Sequence, residues 1–451
     1  MGILFGTDGI RGKANHYPMT CEIALQTGRA VGIFVKKKGY KAVIIGKDTR
    51  ISGDMLEAAI SSGVASTGVD AIQTGIIPTP GIAFLCSDIK EAGAGIVISA
   101  SHNPFQDNGI KIFKYNGTKL SDEEEKHIET LILNNEDVPR GDVGKIIIIS
   151  DGLQRYADFL LEKVPFKKLA KKLKIIIDCS NGSASKIGHM VFNKDLFEAR
   201  FIYDSPNGTN INDNCGSQHI EQLRQKVVTE KVDLGIAFDG DADRLIAVDE
   251  TGEEITGDRI LAICAKHAKQ NNKLKNNIVV STIMSNIGLT EFLTNYGIHH
   301  IRADVGDRKV LEEMQKHGAI IGGEDSGHMI FLDNHTTGDG MLSALKLIDV
   351  ILETGQSLSI LASAMTVYPQ VSMNISVDES RPDFMKIDLI ANTIQNIKNK
   401  LGDKGRVLIR YSGTQPLLRV MVEGPDHKIT EQYCHEICNI IEGNIYNKPA
   451  H

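Results

Sequence analysis

Short apolar runs, each followed by a polar turn rich in Gly or Ser and then by a helical pattern, recur along the chain. The clearest runs begin at Ala42, Ile175 and Ile278. Fully apolar strands joined to helices are typical of mostly parallel strands buried between helical layers. The three copies therefore predict three related α/β domains. Such folds bind their ligands at polar loops after the carboxyl ends of the strands.

The last part of the chain has a different pattern. Two strand patterns, 407–410 and 417–422, flank a Ser-Gly-Thr-Gln-Pro turn, with helical patterns before them (385–400) and after them (429–441). This order predicts a small α+β domain. We therefore expect the α/β class, with three related α/β domains of mixed sheets plus a smaller C-terminal α+β domain, around a central cleft. The expected domain bounds are 1–150, 151–254, 255–365 and 366–451.

Composition and charge narrow the class of protein. A chain of 451 residues is too long for one core, and 41% hydrophobic with 24% charged residues is typical of globular proteins. A net charge of −7 without a basic stripe, and the absence of Trp, argue against nucleic-acid binding. Met1–Thr7 lacks the features of a secretory signal, and the longest aliphatic runs are too short to span a membrane. Seven scattered cysteines fit a reducing compartment, so we expect a cytoplasmic protein.

An acidic turn, Asp239-Gly-Asp241-Ala-Asp243-Arg244, lies between two strand patterns. Alternate aspartates in a tight turn can direct three oxygen ligands at one hard cation, Mg²⁺ or Ca²⁺. An EF-hand in a calcium-binding protein without catalysis would also use such aspartates. However, Arg244 stands where that loop needs Gly, and its flanks would be helices. A solvated acidic turn that holds no metal would show the same residues.

A second polar loop, Ser99-Ala-Ser101-His102-Asn-Pro104, follows the strand pattern 93–98. Small residues let the backbone approach a phosphate closely, and Pro104 stiffens the end of the loop. On local grounds Ser101 is a weak candidate nucleophile, because neighbours in sequence do not form a nucleophile–base pair. A phosphorylated Ser101 would nevertheless complete the shell of a cation held by three carboxylates.

Four motifs occur in an order and spacing that resemble the α-D-phosphohexomutase superfamily over essentially the full length. They are residues 99–104, 239–244, 323–328 and 410–414. Three more segments are similar to the bacterial branch of that superfamily that acts on glucosamine phosphates. They are residues 5–12, 46–53 and 336–340.

The resemblance implies a role for each matching residue. Ser101 would be the phosphorylated nucleophile, and one Mg²⁺ would be held by its phosphate with Asp239, Asp241 and Asp243. The implied sugar ligands are Glu324 and Ser326. The implied ligands of the phosphate that does not react are Arg410, Ser412, Gly413, Thr414 and Arg419. The positions implied in proton transfer or phosphate contact are His102, Lys111, Arg244 and His328, with the general base open between His328 and Lys111. Further candidate phosphate contacts are Thr7 and Arg11.

The implied activity is the interconversion of glucosamine 6-phosphate and glucosamine 1-phosphate, with glucosamine 1,6-bisphosphate as intermediate and activator. The product would serve UDP-N-acetylglucosamine and peptidoglycan precursor synthesis, and the enzyme would be a monomer or homodimer. A mutase of mannose or glucose phosphates is the main competing hypothesis. A phosphoserine-type phosphatase also has to be considered, although no His cluster lies near the acidic turn. Departures from the family pattern at Asp304, Asp325 and Gln415 concern the preferred sugar, and an acid at 325 would suit the ammonium of an amino sugar.

Overall fold

The computed structural model describes residues 3–6, 8–134, 142–166, 172–192, 197–378, 381–412 and 416–445. The chain divides into two compact units. Unit 1 comprises Met1–Met284 and Ile298–Ser363, and unit 2 comprises Ser285–Gly297 and Ala364–His451.

The first sheet of unit 1 is mixed. Its strands are β1 (Phe5–Gly6), β2 (Gly9–Lys13), β3 (Ala42–Lys47), β4 (Asp70–Ile76), β5 (Ala92–Ile98), β6 (Asp107–Lys114) and β7 (Ile146–Ile148). Their order across the sheet is β1-β2-β6-β5-β3-β4-β7, with β3, β4, β5 and β7 parallel. The accompanying helices are α1 (Cys21–Lys37), α2 (Ser52–Ala65), α3 (Thr79–Asp88) and α4 (Asp122–Leu133). β5 is buried along its whole length, because helices cover both faces of the sheet at its centre.

The second sheet of unit 1 follows in sequence. Its elements are α5 (Gly152–Lys163), β8 (Leu173–Asp178), α6 (Ala184–Val191), β9 (Phe197–Ile202), α7 (Glu221–Glu230), β10 (Leu234–Phe238), β11 (Leu245–Asp249) and β12 (Glu254–Ile255). The strand order is β12-β11-β10-β8-β9, and β10 pairs with β11 as an antiparallel hairpin.

The third sheet of unit 1 has the order β14-β13-β15-β16. Its strands are β13 (Ile278–Thr282), β14 (His299–Ala303), β15 (Ile321–Gly323) and β16 (Met329–Phe331). The helices in this part of the chain are α8 (Gly257–Gln270), α9 (Ile287–Asn295), α10 (Asp307–His317), α11 (Gly340–Thr354) and α12 (Leu358–Ala362), with a 3₁₀ turn at Lys275–Asn277. Of these helices, α9 belongs to unit 2.

Unit 2 contains an antiparallel sheet of three strands. They are β17 (Gln370–Ser376), β18 (Arg406–Tyr411) and β19 (Leu417–Glu423), with β19 at the centre. The helices are α13 (Asp388–Leu401) and α14 (His427–Asn444), and 3₁₀ turns lie at Phe384–Lys386 and Gly402–Lys404. Isoleucines of α13 and cysteines of α14 pack on the sheet to form the core.

The predicted fold class is confirmed in its strands and domains. The runs at Ala42, Ile175 and Ile278 form the buried strands β3, β8 and β13, and the two late strand patterns form β18 and β19. The domain bounds given above stay a prediction. No helix of the described chain is long and apolar enough to cross a membrane.

Candidate active site

The acidic turn joins β10 to β11 and brings its three carboxylates together. One oxygen from each of Asp239, Asp241 and Asp243 lies within 4.8 Å of the others, and all three residues are buried. Oδ1 of Asp241 and Oδ1 of Asp243 have no hydrogen-bond partner among the described residues. Buried carboxylate oxygens without donors carry a large desolvation cost, so the turn is suited to hold a divalent cation.

Ser101 lies against this turn. It follows β5 with a φ of 53°, a left-handed conformation that is rare for serine. Its Oγ donates a 2.5 Å hydrogen bond to Oδ2 of Asp239, 138 residues away. Its backbone N–H donates to Oγ of Ser99 at 2.9 Å. The fold therefore places the candidate nucleophile at the edge of the candidate metal site.

Arg50 holds the backbone of the serine loop. Its guanidinium donates to the carbonyl oxygens of Ser101 (3.0 Å) and Asn103 (2.7 Å), and further to those of Pro104 and Asp107. Its partner Asp48 lies 2.9 Å from Nε, and both side chains are fully buried. Asp48 also accepts the hydroxyl of Ser99 at 2.6 Å. Arg50 is therefore a support of the loop that carries the candidate nucleophile.

Lys111 on β6 brings a positive charge to the turn. Its Nζ lies 2.8 Å from Asp241 and 3.3 Å from both Asp243 and Asp8. Thr79, at the start of α3, donates its hydroxyl to the same Asp241 oxygen at 2.6 Å. Burial alone would raise the pKa of Asp241, but Lys111 and Thr79 together lower it. Burial and repulsion from its two neighbours raise the pKa of Asp239.

A chain of alternating charges leads from Lys111 to His328. Asp8 contacts Lys111 and Lys119, and Lys119 reaches Oδ2 of Asp307 at 2.5 Å. Nε2 of His328 lies 3.7 Å from the same Asp307 oxygen. Nδ1 of His328 is buried without a hydrogen-bond partner in the described part of the chain. The imidazole packs on Gly338, where an added Cβ would lie 2.2 Å from its Nε2.

Three further cationic or titratable residues surround Ser101. Nδ1 of His102 lies 3.3 Å from the Ser101 Oγ, and burial together with Arg244 and Arg11 lowers the pKa of His102 to about 4. Arg244 donates its backbone N–H to Asp239 and directs its guanidinium along Asp243 at 3.8 Å. Arg11 pairs with Asp8 at 2.5 Å and reaches the carbonyl of Ala100 in the serine loop.

The predicted sugar loop joins β15 to β16. Glu324 and Ser326 are partly exposed there, and Oε1 of Glu324 accepts the backbone N–H of Gly306 at 3.2 Å. Asp325 is exposed, and its side chain accepts the N–H of Asp258 in the first turn of α8. A carboxylate at a helix N-terminus is stabilising, which gives a local reason for this departure from the family pattern.

In unit 2 two predicted phosphate ligands face each other. Arg410 on β18 and Arg419 on β19 are direct cross-strand partners. Ser412 is buried after β18, and its N–H donates to the carbonyl of Leu417 at 2.8 Å. The other predicted residues of this loop, Gly413 and Thr414, lie outside the described residues, as do Gln415 and Thr7.

Sequence reasoning missed several residues that the fold brings to this site. They are Asp48, Thr79, Lys119, Asn212 and Asp307. Asp48 lies in the segment 46–53 that matched the family, so its motif was a usable signal. Each of the other four binds a site residue that is far from it in sequence, so its role could not be recognised from its own neighbours in sequence.

Comparisons with known proteins show the family of the chain. Models of the phosphoglucomutase/phosphomannomutase family match the chain in four parts. These are the α/β/α domains I (2–139), II (154–252) and III (256–368), and the C-terminal domain (373–440). The chain is 56% identical to the phosphoglucosamine mutase of Desulforapulum autotrophicum, over 98% of this chain and 99% of the relative. It is 51% identical to that of Syntrophobacter fumaroxidans, over 99% and 100%.

Solved structures agree in fold. A phosphoglucomutase/phosphomannomutase family protein from Burkholderia thailandensis is similar, with a TM-score of 0.82, 22% identity and coverage of 98% of both chains. An N-acetylglucosamine-phosphate mutase in its product complex is similar, with a TM-score of 0.68, 17% identity and coverage of 97% and 96%. At such identities these structures support the fold alone, whereas the relatives above half identity and the four family matches show the family. The predicted phosphohexose mutase class is confirmed, and the chain belongs to the phosphoglucosamine mutases of the phosphoglucomutase/phosphomannomutase family.

Proposed function

We propose that the protein interconverts glucosamine 6-phosphate and glucosamine 1-phosphate by way of a phosphoserine at Ser101. Oxygen O1 of glucosamine 6-phosphate bonds to the phosphorus as the bond to Ser101 Oγ breaks, giving glucosamine 1,6-bisphosphate. The bisphosphate turns around, its 6-phosphoryl group returns to Ser101, and glucosamine 1-phosphate leaves. The observation that carries this proposal is the Ser101 Oγ held 2.5 Å from a buried aspartate triplet.

The donor set fits a hard cation, because three buried carboxylates converge and two of their oxygens lack donors among the described residues. We expect Asp239, Asp241 and Asp243 to hold one Mg²⁺ with an oxygen of phosphorylated Ser101. Bound there, the ion would supply positive charge to the phosphoryl group in transfer.

The chain itself provides the remaining positive charge. Phosphoryl transfer needs cationic groups around the equatorial oxygens and an in-line pair of attacking and leaving oxygens. Lys111, Arg244 and Arg11 lie around Ser101 and its aspartates, which supports them in this role. Lys111 and Arg11 are each anchored by a carboxylate, so these two charges are fixed before substrate arrives.

We assign the proton transfer at the sugar hydroxyl to His328 rather than Lys111. Nζ of Lys111 is within 3.3 Å of three carboxylates, which hold it as a charged donor. His328 has one ring nitrogen near Asp307 and the other without a partner among the described residues. An imidazole oriented by a carboxylate is the usual arrangement for a general base.

The substrate ligands rest on two loops. Glu324 and Ser326 would hold sugar hydroxyl groups, as the family match implies. Arg410 and Arg419 stand directly opposite each other on neighbouring strands. Two guanidiniums that are cross-strand neighbours can bind one phosphate together, which supports an anion site in unit 2. The two relatives above half identity are phosphoglucosamine mutases, which supports glucosamine as the sugar. We further propose a cytoplasmic enzyme, a monomer or homodimer, that serves UDP-N-acetylglucosamine synthesis.

The decisive experiment compares wild type, Ser101→Ala and the control Ser87→Ala, in which an exposed serine is removed. Intact mass after incubation with glucosamine 1,6-bisphosphate should show one added phosphoryl group on wild type and the control only. Isomerisation of glucosamine, glucose and mannose 6-phosphates should be fastest for glucosamine and absent in Ser101→Ala. Full activity of Ser101→Ala would disprove the proposal. Phosphate release in excess of isomerisation would favour a phosphatase instead.

A further inference from the structure

Asn212 reaches the serine loop from the second sheet of unit 1. It lies in the connection between β9 and α7, is half-buried, and has a φ of 57°. Its Nδ2 donates to the carbonyl oxygen of Ser101 at 2.8 Å and to that of Asn103 at 2.9 Å. Its own N–H donates to the carbonyl of Ser180 at 2.9 Å. The side chain therefore joins two segments more than a hundred residues apart in sequence.

The carbonyls that Asn212 binds are also the ones that Arg50 binds. Nη2 of Arg50 lies 3.0 Å from the Ser101 oxygen and 2.7 Å from the Asn103 oxygen. Each oxygen thus accepts from both side chains. Arg50 and Ser101 follow β3 and β5 of the first sheet, whereas Asn212 follows β9 of the second sheet, which carries the aspartate turn between β10 and β11. Asn212 therefore ties the backbone of the serine loop to the part of the chain that forms the metal-binding sheet, in addition to the bond from Ser101 Oγ to Asp239.

The serine loop and the aspartate turn touch at Gly240, between the candidate ligands Asp239 and Asp241. A Cβ at Gly240 would lie 2.6 Å from the Ser101 carbonyl oxygen and 3.0 Å from Nδ2 of Asn212. The backbone of Gly240 packs there on the backbone of Ser101, and the side-chain amide of Asn212 lies beside this contact. A shift of Asn212 would move the Ser101 carbonyl relative to the aspartates.

We propose that Asn212 is a positioning residue, which holds Ser101 in its left-handed conformation and so aims Oγ at the aspartate turn. The proposal rests on the proposed function of Ser101 as phosphoryl carrier. Losing the amide should slow phosphoryl transfer in both directions, because a displacement of about 1 Å at a reacting group costs on the order of 100-fold in rate. Sugar binding should be little affected, because Glu324 and Ser326 lie on the separate loop between β15 and β16.

The test uses Asn212→Ala and Asn212→Asp in the full-length enzyme. Asn212→Asp keeps the shape but replaces the donor with a charge that faces two carbonyl oxygens. Asn214→Ala is the matched control, because Asn214 has a similar φ of 51° and its side chain, among the described residues, hydrogen-bonds only to its neighbour Asp213. We expect kcat for glucosamine 6-phosphate to fall at least about tenfold in both Asn212 variants, with KM within about twofold. Loading of Ser101 from the bisphosphate, followed by intact mass, should slow by the same factor.

A merely structural role would lower the melting temperature without this split between kcat and KM. The proposal is overturned if both Asn212 variants keep kcat within about twofold of wild type, or if Asn214→Ala loses as much as Asn212→Ala. It is also overturned if kcat and KM change together while loading stays at the wild-type rate. If wild type itself neither loads Ser101 nor isomerises the sugar phosphate, the proposed function fails. If wild type does both and Asn212→Ala equals it, only the role of Asn212 fails.

Discussion

Replacing Gly338 with alanine should displace His328, the residue to which we assign proton transfer. An added Cβ would lie 2.2 Å from both Cε1 and Nε2 of the imidazole, whereas ordinary contacts begin at 3.4 Å. All three nearest atoms belong to the ring, so the ring and not the backbone must yield. The difference requires a movement of about 1.2 Å, which is the scale at which a misplaced catalytic group costs on the order of 100-fold in rate.

We therefore expect kcat of Gly338→Ala to fall about 100-fold, with the protein still folded. Steady-state isomerisation of glucosamine 6-phosphate gives the rate, and a thermal melt checks folding. Gly443→Ala is the matched control, because Gly443 lies in α14 and an added Cβ would have no contact within 4 Å among the residues that the structure describes. Combined with His328→Ala, the Gly338 change should add little, since both act on one group. A kcat within about threefold of wild type, or full additivity of the two changes, would refute the reasoning.

Three further changes test the supports of the site. Arg50→Met should lower the free energy of unfolding in urea by about 3–5 kcal/mol, because the fully buried Asp48 loses its ion-pair partner. An unchanged unfolding curve would contradict this. If Lys111 acts as a fixed charge, Lys111→Met should lower kcat at least tenfold, which is about 1.4 kcal/mol in activation free energy. The Mg²⁺ concentration that gives half-maximal activity should change little, and a titration of activity with Mg²⁺ after chelation measures it. Burial lowers the pKa of His335 to about 4, whereas a histidine in the unfolded chain has a pKa of about 6.5. The unfolded state therefore binds the proton more readily, so the contribution of neutral His335 to the free energy of unfolding is complete above pH 6.5 and is lost as the pH falls to 4. At about 1.36 kcal/mol per pH unit, the free energy of unfolding of wild type should fall by up to about 3.4 kcal/mol more than that of His335→Asn over that range. Parallel pH profiles of the two proteins would contradict this, and so would an equal effect of His219→Asn, which replaces an exposed histidine.

Strands and helices could be predicted because their signal is local. The run at Ala42 forms β3, which is buried throughout its apolar part, and helices follow it and its two counterparts as the pattern required. Burial on both faces selects continuous apolar residues, and that selection is visible in one short segment. The apolar run at Ile146 does not follow this rule. It forms the edge strand β7, where Ile146 and Ile148 are at least half exposed.

The candidate site could be predicted only as a set of motifs. Ser101 and Asp239 match family motifs, but their contact joins residues 138 apart, and no spacing in the sequence gives a distance. Asp307 and Lys119 bear no motif that ties them to His328, because their link is an ion-pair chain created by packing. The acid at Asp325 suggested a contact with an amino sugar, and the fold shows it accepting a backbone N–H of α8.

The conformation of Ser101 explains why its local sequence was uninformative. A left-handed serine costs on the order of 1–2 kcal/mol, so a short Ser-His-Asn loop does not adopt it unaided. The cost is offset by three hydrogen bonds: Arg50 and Asn212 donate to the carbonyl oxygen of Ser101, and Oγ of Ser99 accepts its N–H. The Asn212 amide reaches the loop only when the first two sheets of unit 1 are packed together, because Asn212 lies in the connection after β9 of the second sheet. The candidate nucleophile is thus directed at the aspartate turn by tertiary structure, and a serine with the same neighbours in sequence but without these hydrogen bonds would point elsewhere.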